Sequence, residues 1–120
     1  VLSVFLSVSY VGENKGFPNT EDGAYVCGFD KTRYQISDAG DINVYFVPST
    51  DRRFIMQGVR IDNDAAGDYS QRAARVQARN LSFYAANTTK QRIYFTVDVL
   101  DTETGNVIAC DPDIDNEEPK

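Results

Sequence analysis

The chain is 120 residues long, with 42% hydrophobic and 12% aromatic residues, enough to bury the core of one domain without staples. Its formal net charge of −6 is placed unevenly: residues 1–100 carry 11 acidic and 11 basic side chains, whereas 101–120 carry seven carboxylates and one lysine. Such a balance offers phosphate no overall attraction and argues against nucleic acid as a partner. The absence of histidine removes Ser-His-Asp and Cys-His catalysis together with imidazole zinc sites.

The opening "VLSVFLSVSYV" is apolar. It has no basic leader region and no small-residue cleavage site, and it is far too short to span a bilayer, so no membrane contact is expected of it. Leu2, Val4, Leu6, Val8 and Tyr10 alternate with Ser3, Phe5, Ser7 and Ser9, the period-2 pattern of a strand with one apolar face. After the turn-rich "GENKGFPNTEDG", β-prone runs follow at regular spacing: 24–29, 32–37, 42–47, 53–61, 74–85, 92–100 and 106–110. Breakers such as 38–41, 48–51, 62–64, 87–89 and 101–105 separate them. In "RIYFTVDVL" the residues Ile93, Phe95, Val97 and Val99 face one way, as a half-buried antiparallel strand requires. The rhythm predicts an all-β chain, an immunoglobulin-like antiparallel β-sandwich of about 7–9 strands in a single domain spanning 1–120. Leu6, Val8, Phe46, Ile93, Phe95 and Val97 are its expected core.

One stretch resists this scheme. "SQRAARVQARN", residues 70–80, has high helix propensity, and Arg72, Arg75 and Arg79 would share one helical face able to hold an anion. At most a turn or two of helix is expected before the chain extends at Leu81, and a plain solvated face explains the arginines as well. Cys27 and Cys110 lie far apart with neither zinc nor CxxC spacing. They are expected to be reduced thiols without a catalytic role, in a cytoplasmic protein, while a single disulfide would mark an oxidising compartment.

No nucleophile elbow, P-loop or dinucleotide fingerprint occurs, so an enzyme is not expected and no cofactor is assigned. Calcium is the metal best suited to the oxygen-rich loops. "DPDIDN" opens like an EF-hand loop with Asp111, Asp113 and Asp115 but lacks the glycine at position six; "DNDAAG" has Asp62, Asp64 and Gly67 but fails at positions five and twelve. A weaker site would need Asp62, Asp64, Asp68, Asp111 and Asp113 to converge from separate loops. The sequons at Asn80 and Asn87 matter only in a glycosylating secretory route.

The end of the chain, a last core strand "RIYFTVDVLDTETGNVIAC" followed by Asp111-Pro112 and then Glu118-Pro119, resembles the DP-EP family of small bacterial proteins. That resemblance covers about the last third of the chain and implies an immunoglobulin-like sandwich of bacterial origin with no established activity. A looser similarity in size and strand rhythm to the AidA/PixA inclusion-body proteins suggests self-association. Physically, each proline ends an extended run. Asp111, Asp113, Asp115 and Glu118 then form an acidic tail from about 111, a ligand for a basic partner or for Arg52-Arg53 or Arg72, Arg75 and Arg79 of a second copy. The expected role is a non-enzymatic binding or assembly module, with another protein or a homo-oligomer as partner; calcium binding or carboxylate-dependent activity is the alternative.

Overall fold

The computed structural model describes residues 2–10, 25–31, 33–111 and 113–116, with main chain only at 70–74, 91 and 113–116. Those residues form ten strands and no helix: β1 Leu2–Tyr10, β2 Tyr25–Phe29, β3 Arg33–Ile36, β4 Gly40–Phe46, β5 Phe54–Asp62, β6 Tyr69–Val76, β7 Asn80–Ala85, β8 Gln91–Asp101, β9 Val107–Cys110 and β10 Asp113–Asn116. One sheet has the order β2-β1-β4-β7-β6; the other runs β3-β10-β8-β5, with β9 also paired to β8. The all-β architecture follows from the alternation. In β1 Val4, Leu6 and Val8 are buried, and in β8 Ile93, Phe95, Val97 and Val99 have no exposure at all.

The inward faces of both sheets merge in one cluster. Phe95 of β8 is at its centre, 5.7 Å from the Phe83 ring of β7 and 6.1 Å from the Phe29 ring of β2. All six expected core residues are buried.

Four expectations need correction. The sheets are not purely antiparallel: β1 pairs with β4 in parallel, and β10 with β3. This follows because β3 belongs to the second sheet, so the chain crosses over before β4 returns beside β1. Residues 70–80 contain no helix; 69–76 are a strand paired with β7 from Tyr69↔Ala85 to Val76↔Leu81, with a register shift between Ser70 and Arg75. Helix propensity is a few tenths of a kcal/mol per residue, and pairing to an adjacent strand overrides it.

The third correction is at Asp111-Pro112, which does not end the pairing. Cys110 lies opposite Val97 and Asp113 opposite Tyr94, three positions on in each strand, so β9 and β10 follow β8 in one register. The expected free tail therefore enters the sheet, with β10 held between β3 and β8. The fourth concerns the cysteines, which form a disulfide with a Cα separation of 5.8 Å, joining β2 of one sheet to β9 of the other. Closing a loop across 83 positions stabilises a chain by about 4 kcal/mol in the chain-entropy account.

Candidate functional site

The strand pattern that builds the core also builds an unusual outer surface. In β4 the buried Ile42, Val44 and Phe46 leave Asp41, Asn43 and Tyr45 facing out. Pairing carries the same face onto its neighbours: Phe5 and Asn80 flank Tyr45, Ser3 and Ser82 flank Asn43, and Tyr84 lies opposite Asp41. Phe5, Tyr45 and Tyr84 are exposed by 41%, 39% and 42%, well above what sheets leave to water when large aromatics have somewhere to pack. Phe5 and Tyr45 stack with centroids 5.7 Å apart. Among the described outward positions of β1, β4 and β7, Asp41 is the one charged side chain, with Arg75 of β6 at the rim opposite Ser82. The other sheet differs. Its outer face carries charges such as the Arg60–Asp98 pair, bonded through both guanidinium nitrogens at 2.8 and 3.0 Å.

At the end of the sandwich where β5 starts and β8 stops, Asp101 is fully buried. Arg53 donates to both of its carboxylate oxygens at 2.8 Å, Tyr25 donates at 2.6 Å, Thr104 at 3.0 Å and the main-chain N–H of Glu103 at 3.0 Å. The Arg53 bonds, more than any other, hold the Asp101 carboxyl far below the ordinary carboxylate range against the opposing effect of burial. Arg53 is raised above its usual value chiefly by the same bonds. Burial, helped by the Asp101 charge, pushes the Tyr25 phenol up. Gly105, at φ +80°, closes the turn by donating its N–H to the Asp101 carbonyl. With five donors on one carboxylate, this is a clamp between turn, β2 and β5 rather than a proton acceptor for a substrate.

A cleft of about 300 Å³ opens beside this clamp, between Ser7–Tyr10 of β1 and the crossing segment around Thr50, Asp51 and Arg53. Thr50 is buried and its Oγ1 has no hydrogen-bond partner. A smaller hollow of about 170 Å³ lies at the other end of β1, around Leu2, Ile36, Asp38 and Ala85.

The arginines expected to form an anion stripe do not share a face. Arg75 is exposed on β6, whereas Arg79 lies in the β6–β7 turn and donates to the carbonyls of Thr50, Asp51 and Phe54 at 2.7, 3.2 and 2.8 Å. Its guanidinium also sits 4.6 Å above the Phe46 ring, and burial, the largest cause, lowers its pKa. Arg79 is thus a latch on the β4–β5 connection. Arg72 lies on β6 with only its main chain described. Of the two arginines offered as an alternative receptor, Arg52 is exposed and Arg53 is bound to Asp101.

The acidic residues are similarly dispersed. Asp64 caps the turn before β6, accepting from the N–H groups of Asp68 and Tyr69 at 3.0 Å each. Asp68 is buried and accepts from the Thr88 hydroxyl. Asp62 lies at the end of β5 opposite Tyr94, with Asp113 at the same level on the other flank of β8. Asp111 is exposed just after Cys110. Among the described residues no three acidic or cysteine side chains gather as a metal-ligand set. The side chains of Asp113 and Asp115, and the whole of Pro112, Glu118 and Pro119, lie outside the described residues.

Sequence reasoning missed the Arg53–Asp101 clamp, yet a signal was present. Asp101 continues the inward parity of Ile93, Phe95, Val97 and Val99, and a carboxylate at an inward position must find donors. Among the described residues no helix is long and apolar enough to cross a membrane.

No family model matches the chain, and no curated protein does. Among solved structures it is similar to one described as the NMR structure of a protein from Bacteroides thetaiotaomicron, at 12% identity and a TM-score of 0.44, over 95% of this chain and 89% of that one.

Proposed function

We propose that the protein is a binding or assembly module, an immunoglobulin-like sandwich of the kind the DP-EP resemblance implies, which docks a protein surface through the outer face of β1, β4 and β7. One observation carries the reading: Phe5, Tyr45 and Tyr84 stand exposed in a face of serines and asparagines that holds a single carboxylate. Protein interfaces are enriched in aromatic residues and depleted of charge at their centres, as this face is. A flat sheet surface also presents the area that docking needs, whereas a catalytic site calls for a concave pocket with convergent polar groups. The Cys27–Cys110 disulfide supports work in an oxidising compartment rather than the cytoplasm.

The test is sedimentation equilibrium on the wild-type chain and on Phe5→Ser with Tyr45→Ser, both checked for an unchanged melting temperature. The reading expects concentration-dependent association of the wild type that the double substitution weakens at least tenfold, or about 1.4 kcal/mol. A wild type and a double variant that associate to the same degree overturn this surface.

A further inference from the structure

We propose that the cleft between β1 and the β4–β5 connection is a strand-acceptor site for an extended, uncharged peptide segment of a partner protein. The argument starts from where pairing stops. β1 is paired with β4 from Leu2↔Ile42 to Leu6↔Phe46, and with β2 on its other side as far as Tyr10↔Tyr25. Beyond Phe46 the chain turns away: Val47 N donates to Leu6 O at 2.8 Å, and Thr50 N then donates back to Val47 O at 2.8 Å. The last four residues of β1 thus have a strand neighbour on one side alone among the described residues.

Strand geometry says which groups are left. Asp30 N donates to Phe5 O on the β2 side, and Val47 N reaches Leu6 O on the β4 side. The main-chain groups of successive residues alternate between the two edges of a strand, so those of Ser7 and Ser9 serve β2 while those of Val8 turn toward the space β4 has left. Val8 lines the cleft, and an open edge of this kind is what an added strand pairs with.

The opposite wall indicates the occupant. Thr50 is 6% exposed, lines the cleft and has an Oγ1 without a partner; a buried hydroxyl left in that state costs free energy that a hydrogen-bonding ligand would recover. The cations nearby are already engaged: Arg53 is held by Asp101 at 2.8 Å and lies near Glu103 at 3.4 Å, and Arg79 is bound to carbonyls. An anionic ligand finds no open cation there, and an alternating N–H and C=O supplier with small side chains fits both walls. The Tyr10 ring, with the Arg53 guanidinium 4.9 Å from its centroid, closes one end. The 300 Å³ of the cleft is small for a ligand site and limits the segment to a few residues. The site stands apart from the aromatic outer face, so the failure of either reading leaves the other intact.

The probe is the capped peptide acetyl-Val-Thr-Val-Thr-amide, titrated into the isotope-labelled, disulfide-intact chain and followed by amide chemical shifts. Saturable shifts centred on Val8 and Thr50 are expected, with a dissociation constant of about 1 mM or tighter. The same peptide N-methylated at every amide should lose binding at least tenfold, as should Thr50→Val, whose melting temperature should not fall. Absence of saturation up to about 10 mM peptide overturns the proposal. So does equal binding of the N-methylated peptide, a result that stands whether or not Thr50→Val folds. N-acetylglucosamine producing the same shifts when the peptide produces none would assign the cleft to a saccharide instead.

Discussion

Asp101 and Arg53 show how one inward carboxylate organises an end of the sandwich. The carboxylate has no exposure and draws in Arg53, Tyr25, Thr104 and the Glu103 N–H, so each donor is positioned by the same two oxygens. Removing the charge in Asp101→Asn leaves Arg53 without its partner, and breaking such a pair costs about 3 kcal/mol, or about 10 °C of melting temperature in a domain of this size. The pH dependence follows from the direction of the shift. Because the folded-state pKa of Asp101 is depressed, its contribution is complete above the unfolded carboxylate value of about 4 and is lost as pH falls toward the folded one. Thermal melts of Asp101→Asn should therefore show less loss between about pH 4 and pH 2 than the wild type. Equal acid sensitivity in the two proteins would place the acid-labile group elsewhere. At this scale the core was legible, since period-2 alternation names Val4, Leu6, Val8, Ile93, Phe95 and Val97 directly. The clamp was not, because a carboxylate near a turn reads equally well as a solvated turn residue until its parity is followed.

Among the strands, the part that sequence obscured is the last one. "DIDN" has a single β-prone residue and becomes a strand because of what flanks it: Ile114 lies opposite the buried Ile93 and Tyr34, Asp113 opposite Arg33, and Asp115 opposite Arg92. Cross-strand opposite-charge pairs contribute a few tenths of a kcal/mol each, which local propensity cannot reveal. β3 joins its sheet through β10 alone, so deleting residues 113–120 should cost both strands. The expected result is a melting temperature lower by more than about 5 °C, with the amides of 33–36 losing hydrogen-exchange protection first. An unchanged melt would return this segment to the role of a free acidic tail. The disulfide belongs to the same scale, since Cys27 and Cys110 sit on the inward parity of β2 and β9 beside Tyr25 and Ile108. Alkylation without reductant should label neither cysteine. Cys27→Ala with Cys110→Ala should lose about 4 kcal/mol by the loop-entropy estimate, and labelling of both thiols in the purified wild type would contradict the bond.

For the molecule as a whole, the two outer faces divide the labour that a net charge of −6 would otherwise spread evenly. One sheet turns charged side chains such as Arg60, Asp98 and Arg92 to water; the other turns out Phe5, Tyr45 and Tyr84 among serines and asparagines. That contrast decides how association should respond to salt. Two copies of an acidic chain repel at long range, and about 0.15 M salt screens that repulsion beyond about 8 Å. Contacts made by aromatic rings, hydroxyls and amides are hardly screened, whereas contacts between an acidic segment and arginines of a neighbour would be. Docking through the outer face of β1, β4 and β7 should therefore hold constant or tighten as sodium chloride rises from about 50 to 500 mM. Sedimentation equilibrium across that series measures it. A dissociation constant weakened tenfold or more by salt would assign the contact to the carboxylates of the last twenty residues and remove the aromatic face from the interface.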